Sequence, residues 1–398
     1  MTSTRNEVHT VRTRSLLHQR NQRSSDYAVN GGNMRLPKRW VAHRRAFLLG
    51  GVFCVLCLVI VSSRSGKESL KPLDWHLNPD YKKLVHQHVD KILARECQRG
   101  STRQGLLARL PASSHLTRPF LWKNTPLTSN LFEYPPPFGF RGLKGRVPAL
   151  LDQLPEATEE PLFKKGPNTC QRCAVIGNGG ILKGLELGPF IDRFDTIIRL
   201  NSGPLGEFSV DVGTRTSIRM SYPEGTPSPW LDTDPETMFV AVVYKGVDVS
   251  WISAMMNKLT VPLWDWLFFW HDVPEDIPLE RNRLRLLNPL VIKETALDLL
   301  KFSPPTTRLW GWDQNVPTLG VSALDLASLL CDEVSLAGFG YNLSQERTPL
   351  HYYDELSMSA MLWQKMHNVN EETQVLKSLI IEGTITDLTG GVHCSFCP

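Results

Sequence analysis

The sequence predicts an α/β fold built on a mostly parallel sheet, and three observations carry that expectation. Two short apolar runs, Ala174–Ile176 and Thr196–Leu200, each close on a polar turn: Gly177-Asn178-Gly179-Gly180 and Asn201-Ser202-Gly203. A helical segment separates them, and strands alternating with helices are the mark of parallel βαβ units. The pattern returns near the other end. There Thr318–Cys331 carries Val321, Leu324, Leu326, Ala327 and Leu330 at helical spacing, ahead of a strand, Val334–Ala337, that ends in Gly338-Phe339-Gly340. Strand ends of this composition point to a ligand at the carboxyl edge of the sheet. Glycine lets backbone approach a phosphate, and an asparagine amide offers both a donor and an acceptor. The six-residue GxGxxG spacing is absent, so these turns taken alone read equally well as tight turns.

The chain has 398 residues and the composition of a globular protein, 41% hydrophobic and 21% charged. Its net charge of +4 is unevenly spread: ten Lys and Arg fall between Arg5 and Arg45, against Glu7 and Asp26 alone. The remainder is slightly acidic, which argues against bulk nucleic-acid binding by the folded part. The basic tail leads into Ala46–Val61, uncharged until Arg64. The stretch is short for a span but within reach of a thin bilayer. A signal anchor fits better than a cleaved signal peptide, whose apolar core is usually shorter and seldom follows 45 residues. The charge asymmetry leaves the amino terminus cytosolic and the rest lumenal, and a short span suits the early secretory pathway or the Golgi.

Further along, Tyr81–Glu96 has amphipathic helical spacing, with Leu84, Val85, Val89, Ile92 and Leu93 on one face. A Pro-, Ser- and Thr-rich stretch follows through Pro135-Pro136-Pro137, and Pro148–Leu154 reads as a short helix. Met238–Val243 is expected as a buried strand, Leu287–Ile292 as another, and Lys293–Lys301 as a helix. Trp251–Trp270, rich in Trp, Leu and Phe, is expected to pack in the core, with an acceptor-binding or membrane-facing surface as the rival. Thr318 is placed to cap the helix that follows it.

Cys97, Cys170, Cys173 and Cys331 are even in number on the lumenal side, which favours disulfides. The CxxC spacing of Cys170 and Cys173 also raises a redox or zinc site, although no second CxxC lies at finger spacing. The state of Cys394 and Cys397 stays open. For chemistry, three features compete. Asp232-Thr233-Asp234 has the DxD form that can hold a divalent metal on a diphosphate, but Pro229 and Pro235 flank it as in a solvated turn. His351, in His351-Tyr352-Tyr353-Asp354, and His367, ahead of Asn368–Glu372, could each act as general acid or base. No GxSxG elbow, P-loop or HExxH is present.

Four separated blocks, taken together, resemble the animal sialyltransferase family. Its large motif resembles Cys173–Tyr222, with GNGG, RLNS and DVGTRT followed by YPEG; its small motif resembles Pro317–Gly340. The third motif resembles His351–Asp354, and the very small motif resembles the HxxxxE pattern of His367–Glu372. Within the family the likeness is greatest to members acting on glycolipids. The resemblance implies a single Rossmann-like catalytic domain, a GT-A-like variant, preceded by an anchor and stem. The expected organisation is a cytoplasmic tail at 1–45, an anchor at 46–62, a stem and lead-in at 63–150, and the lumenal catalytic domain at 151–398. It implies a single-pass type II protein of the Golgi membrane that moves sialic acid from CMP-sialic acid to the 3-hydroxyl of a terminal galactose on a glycolipid. Inverting displacement without a metal or other cofactor is the expected chemistry. Galactose of N- or O-glycans is the alternative acceptor, and an inactive Golgi glycan-binding protein the alternative of another class.

By resemblance, Asn178, Gly179 and Asn201 would contact the cytidine monophosphate. Thr318 and Gly320 would offer it a helix amino terminus with free N–H groups, and Gly340 would let the chain pass close to it. His351 would hydrogen-bond the donor phosphate, His367 would be the general base, and Glu372 would support that segment. The family's pairing gives disulfides Cys173–Cys331 and Cys97–Cys170. Asn342-Leu343-Ser344 is a glycosylation sequon. No nucleic acid is expected as a partner; a homodimer or complexes with other glycosyltransferases are weighed as protein partners. The chain departs from the family at Val316, ahead of Pro317-Thr318-Leu319-Gly320, where many relatives have a tyrosine whose phosphate contact then needs a replacement.

Overall fold

The computed structural model describes Gly51 and residues 76–398, apart from 113, 115, 117, 157–168, 279, 306–314, 344–345 and 363. The expected tail, and the expected anchor at 46–62 except Gly51, lie outside the described residues. Among the described residues no helix is long and apolar enough to cross a membrane.

One eight-stranded sheet organises the unit that spans Glu68–Pro398. Its strands are β1 (Phe120–Leu121), β2 (Arg172–Ile176), β3 (Thr196–Leu200), β4 (Ile218–Ser221), β5 (Met238–Ala241), β6 (Leu284–Leu287), β7 (Glu333–Ala337) and β8 (Thr386–Asp387). Their order is β1-β6-β5-β4-β3-β2-β7-β8, parallel throughout except for the antiparallel edge strand β1. The chain winds outward from β2 through β6, then returns to place β7 on the other side of β2. Cys173 pairs with Thr196 on one flank and with Val334 on the other. That reversal is the topological switch point at which open parallel sheets hold ligands.

The strands are mostly apolar because both faces are covered, with Arg199, Arg219 and Arg285 as buried exceptions. Cys173, Val175, Ile198, Leu200, Val334 and Leu336 face a cluster containing α7 (Leu319–Leu330) and α8 (Val369–Ile381). Their neighbours Ala174, Ile176 and Ile197 turn the opposite way, onto Val85 and Val89 of α1 (Pro79–Ala94). Farther along that second face, Phe239, Ala241 and Leu286 meet α3 (Arg146–Leu151) and α4 (Gly246–Asn257). The short helix α2 (Ser101–Leu107) and the one-turn α5 (Leu263–Trp266) complete the elements used below, with α6 (Pro289–Lys293). Helices α1 and α2 and strand β1 fall within 63–150, the stretch read from sequence as stem and lead-in, and α3 crosses its end.

Two expectations are corrected. Leu287–Ile292 is not a strand: β6 stops at Leu287, and Asn288 caps α6, its side chain accepting the Leu290 N–H at 3.1 Å with Pro289 in the first turn. Proline removes a ladder donor but suits the first helical position, so the local chemistry ends the strand where apolarity alone would continue it. The expected Lys293–Lys301 helix is wound as a π segment over Glu294–Leu299. The second correction concerns Trp251–Trp270. Trp251 is fully buried, its Nε1 donating to the Pro274 carbonyl at 2.8 Å, but Leu263, Trp264, Leu267 and Phe268 are exposed. The stretch is core at one end only.

The disulfides are Cys97–Cys170, Cys173–Cys331 and Cys394–Cys397. The first ties the end of α1 to the lead into β2, and the second ties β2 to the end of α7. The Cys170/Cys173 pair therefore faces two different partners, not one zinc or one redox bridge.

Candidate active site

A cavity of about 420 Å³ opens at the carboxyl ends of β2, β3 and β7. Asn178, Gly179, Asn201, Thr318, Gly320, Gly340, His351 and His367 all line it. Residues nearly 190 positions apart in sequence meet here because β2 and β7 are sheet neighbours.

The turn after β2 is built backbone on backbone. Gly177 N–H donates to Ala337 O at 2.8 Å and Gly179 N–H to Gly338 O at 3.0 Å. A Cβ on Gly179 would come within 2.6 Å of that same carbonyl. The turn is also stitched to the histidine segment: Gly180 N–H donates to Leu350 O at 3.0 Å, Tyr352 N–H to Asn178 O at 3.1 Å, and Gly179 bridges His351. The glycines thus serve the docking of β2's turn on β7 and on the His351 segment. Gly320 and Gly340 are explained in the same way. A Cβ on Gly320 would meet the Phe339 ring at 2.7 Å, and one on Gly340, which has φ +100°, would run into the Gly391 carbonyl.

Asn201 holds a left-handed conformation, φ +50°, and its Oδ1 accepts the Ser221 hydroxyl at 3.2 Å. Its carbonyl accepts Arg219 Nη1 at 2.6 Å. Arg219, fully buried on β4, is balanced by both carboxylate oxygens of Asp232, Nη2 lying 2.7 Å from Oδ1. A buried guanidinium needs such a paired counter-charge. The aspartate of the DxD sequence is therefore committed to bracing the Asn201 loop, while Asp234 accepts the Glu236 N–H at 2.8 Å. Among the described residues no cluster of His, Cys, Asp and Glu is arranged to hold a metal ion.

The amino terminus of α7 differs from expectation. Thr318 caps the helix, but its N–H donates to Glu372 Oε1 at 2.7 Å and its hydroxyl to Oε2 at 2.6 Å. A carboxylate from α8 thus occupies the Thr318 donors that were expected to be free for phosphate. Burial pushes the Glu372 carboxyl up to about 7, against the two Thr318 hydrogen bonds that pull it down.

His367 sits where the chain enters α8. Its Nδ1 lies 2.8 Å from the Val316 carbonyl, and its backbone N–H donates to Gln364 Oε1 at 2.8 Å. Since a carbonyl only accepts, Nδ1 carries the proton and Nε2 keeps the lone pair. Burial lowers the pKa below 6.5, and the Val316 bond opposes that shift. His351 is half-buried, stacked on Tyr353 at 5.1 Å, with Nδ1 held by Asp354 Oδ2 at 2.6 Å. Asp354 is itself fixed by the Leu356 N–H at 3.0 Å. Each ring is therefore oriented through Nδ1 and leaves Nε2 for a ligand.

Tyr222, Tyr244, Trp270, His271 and Tyr341 also line the cavity and were not singled out from sequence. Tyr244 follows β5, an expected strand, so the strand-end reasoning applied to Asn178 and Asn201 would have reached it; Tyr222 follows β4, which the sequence did not reveal. Burial raises the pKa of both phenols, which stay protonated donors. With Tyr341 they line the cavity, whereas Val316 is fully buried and its carbonyl is taken by His367 Nδ1. Asn342 is exposed just beyond the site.

The family model described as glycosyltransferase family 29 (sialyltransferase) matches residues 120–384. The chain is 46% identical over 346 residues to lactosylceramide alpha-2,3-sialyltransferase of Rattus norvegicus, covering 86% of this chain and 88% of that one. It is 46% identical over 348 residues to the Homo sapiens protein of the same name, covering 87% and 82%. To CMP-N-acetylneuraminate-beta-1,4-galactoside alpha-2,3-sialyltransferase of Homo sapiens it is 35% identical, covering 74% and 77%. Its fold is similar to a crystal structure of a mammalian sialyltransferase in complex with Gal-beta-1-3GalNAc-ortho-nitrophenol. The TM-score is 0.55 at 23% identity, over 73% of this chain and 98% of that one.

Proposed function

The chain belongs to glycosyltransferase family 29, the sialyltransferases, and from that premise we propose that it moves sialic acid from CMP-sialic acid to the 3-hydroxyl of the terminal galactose of lactosylceramide. The acceptor follows the relatives at 46% identity over those at 35%.

The observation that carries the mechanism is the tautomer of His367: a neutral imidazole with Nε2 unprotonated, lining the same cavity as the donor turns. In the proposed step, Nε2 takes the proton from the galactose 3-hydroxyl as its oxygen attacks the anomeric carbon. The bond from that carbon to the phosphate oxygen breaks, and the electron pair leaves with CMP. Attack opposite the leaving group inverts the anomeric centre and requires a base, not a covalent nucleophile. His351 acts as the imidazolium: its Nδ1–H is held by Asp354 and its Nε2–H donates to the departing phosphate, with the phenols of Tyr222 and Tyr244 as further donors where charge develops. Asn178 and Asn201 face the nucleotide. No metal enters this scheme, since the leaving monophosphate is met by hydrogen bonds and Asp232 is held by Arg219.

His367→Ala is expected to retain CMP binding while losing transfer by about 10²- to 10⁴-fold, the usual contribution of a positioned base. An unchanged rate would reject the base. An acceptor panel of lactosylceramide, N-glycans and O-glycans tests the substrate: chief transfer to glycoprotein overturns the glycolipid reading, and no transfer to any galactoside overturns catalysis itself. The proposed setting is the Golgi membrane, with residues 1–45 cytosolic and 46–62 as the anchor. Protease protection of a carboxyl-terminal tag in sealed Golgi vesicles checks that orientation.

A further inference from the structure

The segment from Leu259 to Trp270 turns four large apolar side chains outward. Leu263 is 80% exposed, Trp264 75%, Leu267 70% and Phe268 62%. Single exposed apolar residues are ordinary on a soluble surface; a contiguous Trp-Leu-Phe cluster marks an interaction site. The segment is also built, not loose. Trp266 and Phe269 face inward against the cluster around α4, and their rings meet edge to face at 6.1 Å. At its base Glu224 Oε1 accepts the Trp270 N–H at 3.0 Å and Lys245 Nζ at 2.6 Å. The Lys245 ammonium lies over the Phe269 and Trp270 rings at 4.9 and 4.5 Å. Glu224 and Lys245 follow β4 and β5, so the exposed cluster is bolted to the edge of the sheet that carries the site. Trp270 and His271 themselves line the cavity. The apolar surface therefore runs along one segment from a solvent-facing tip to the wall of the active site.

The charges around it select among possible occupants. Asp265, Asp272, Glu275 and Asp276 flank the cluster, while Lys258 is the one cation between residues 258 and 278 and is paired with Asp276 at 3.0 Å. An anionic headgroup layer would be repelled. Trp, Phe and Leu on a short amphipathic element, without a basic rim, suit the interface of a neutral or zwitterionic bilayer.

Resting on the reading of the acceptor as a membrane glycolipid, we infer that Leu259–Trp270 is a lipid-seating element. It dips Leu263, Trp264, Leu267 and Phe268 into the neutral interface of the bilayer that holds the acceptor. The cavity wall at Trp270 is thereby set at the height of the acceptor's sugar, and the ceramide stays in the membrane during transfer.

The test uses the full-length chain reconstituted into phosphatidylcholine vesicles, with Trp264→Ser/Phe268→Ser as the variant; neither residue lines the cavity, and both are exposed. Transfer to lactosylceramide in those vesicles should fall by roughly tenfold or more in kcat/KM, given the apolar area withdrawn from the interface. Transfer to water-soluble methyl lactoside should be unchanged. An equal fall on both acceptors, or no fall on either, overturns the inference. A separate readout does not depend on the acceptor: quenching of tryptophan fluorescence by brominated phosphatidylcholine should drop in Trp264→Phe. If wild type sialylates the lactoside but not lactosylceramide while that drop is seen, the acceptor reading fails and the lipid contact stands. No change in quenching overturns the contact, as does a loss of dimer in the double variant with quenching unaltered, which would assign the face to a second copy.

Discussion

At His367 the ring is fixed by a carbonyl, and the consequence can be read in a pH profile. The base is competent when neutral, and burial lowers its pKa below 6.5. Activity should therefore persist as pH falls through 6.5, and the acid limb of kcat/KM should lie below that value. A limb at or above 6.5 in a rate profile with lactosylceramide would contradict the assignment. How much of this was legible varies with the residue. His351 and His367 look like any other histidines by composition; the motif blocks singled them out, and the structure adds the Asp354 and Val316 contacts. Asn178 and Asn201 were legible from chemistry as well, because polar residues closing apolar strands have few other reasons to be there. Arg219 and Asp232 were not. Their pairing is a contact across 13 residues inside the fold, and DxD spacing gives no sign that one carboxylate is already taken.

Among the elements, the junction of α7 and α8 ties the chemistry to stability. Glu372 of α8 bonds both donors of Thr318, at the start of α7. Its carboxyl is raised by burial from 4.5 to about 7, so the folded chain holds this proton to higher pH than the unfolded chain does. That contribution to stability is complete below about 4.5 and declines as pH rises through 7. Glu372→Gln keeps an acceptor for the Thr318 N–H and removes the charge, so its melting temperature should vary less than wild type between these limits. Glu372→Ala strands the Thr318 donors and should cost about 1–3 kcal/mol. A Gln variant with wild-type pH dependence would show that the titration lies elsewhere. At this scale α1, α7 and strands β2, β3, β5 and β7 were legible from their apolar spacing, whereas α4 and α8 were not named. β4 escaped because Ile-Arg-Met-Ser holds only two apolar residues, and β1 and β8 escaped because two residues carry no period. The outward face of Leu263–Phe268 escaped because apolarity alone does not say which side is solvent.

For the whole molecule, Cys173–Cys331 closes a loop of 158 residues and joins the first strand of the site to the helix that shapes it. Chain-entropy estimates put its contribution at about 5 kcal/mol, comparable to the entire stability of many domains. Cys173→Ser is expected to abolish recovery of folded, CMP-binding protein from secreting cells; a stable, active, secreted variant would overturn this. The order in which the cysteines are made has its own consequence. Cys97, Cys170 and Cys173 are synthesised well before Cys331, and β2 has β3 beside it long before β7 exists. At the usual pace of translation that interval is roughly ten to thirty seconds. Through it the nascent chain carries a thiol with no native partner, two nearby cysteines with which it can mispair, and a strand with one unsatisfied edge. Fidelity therefore depends on Cys97 and Cys170 finding each other first. That reserves Cys173 for a partner not yet synthesised.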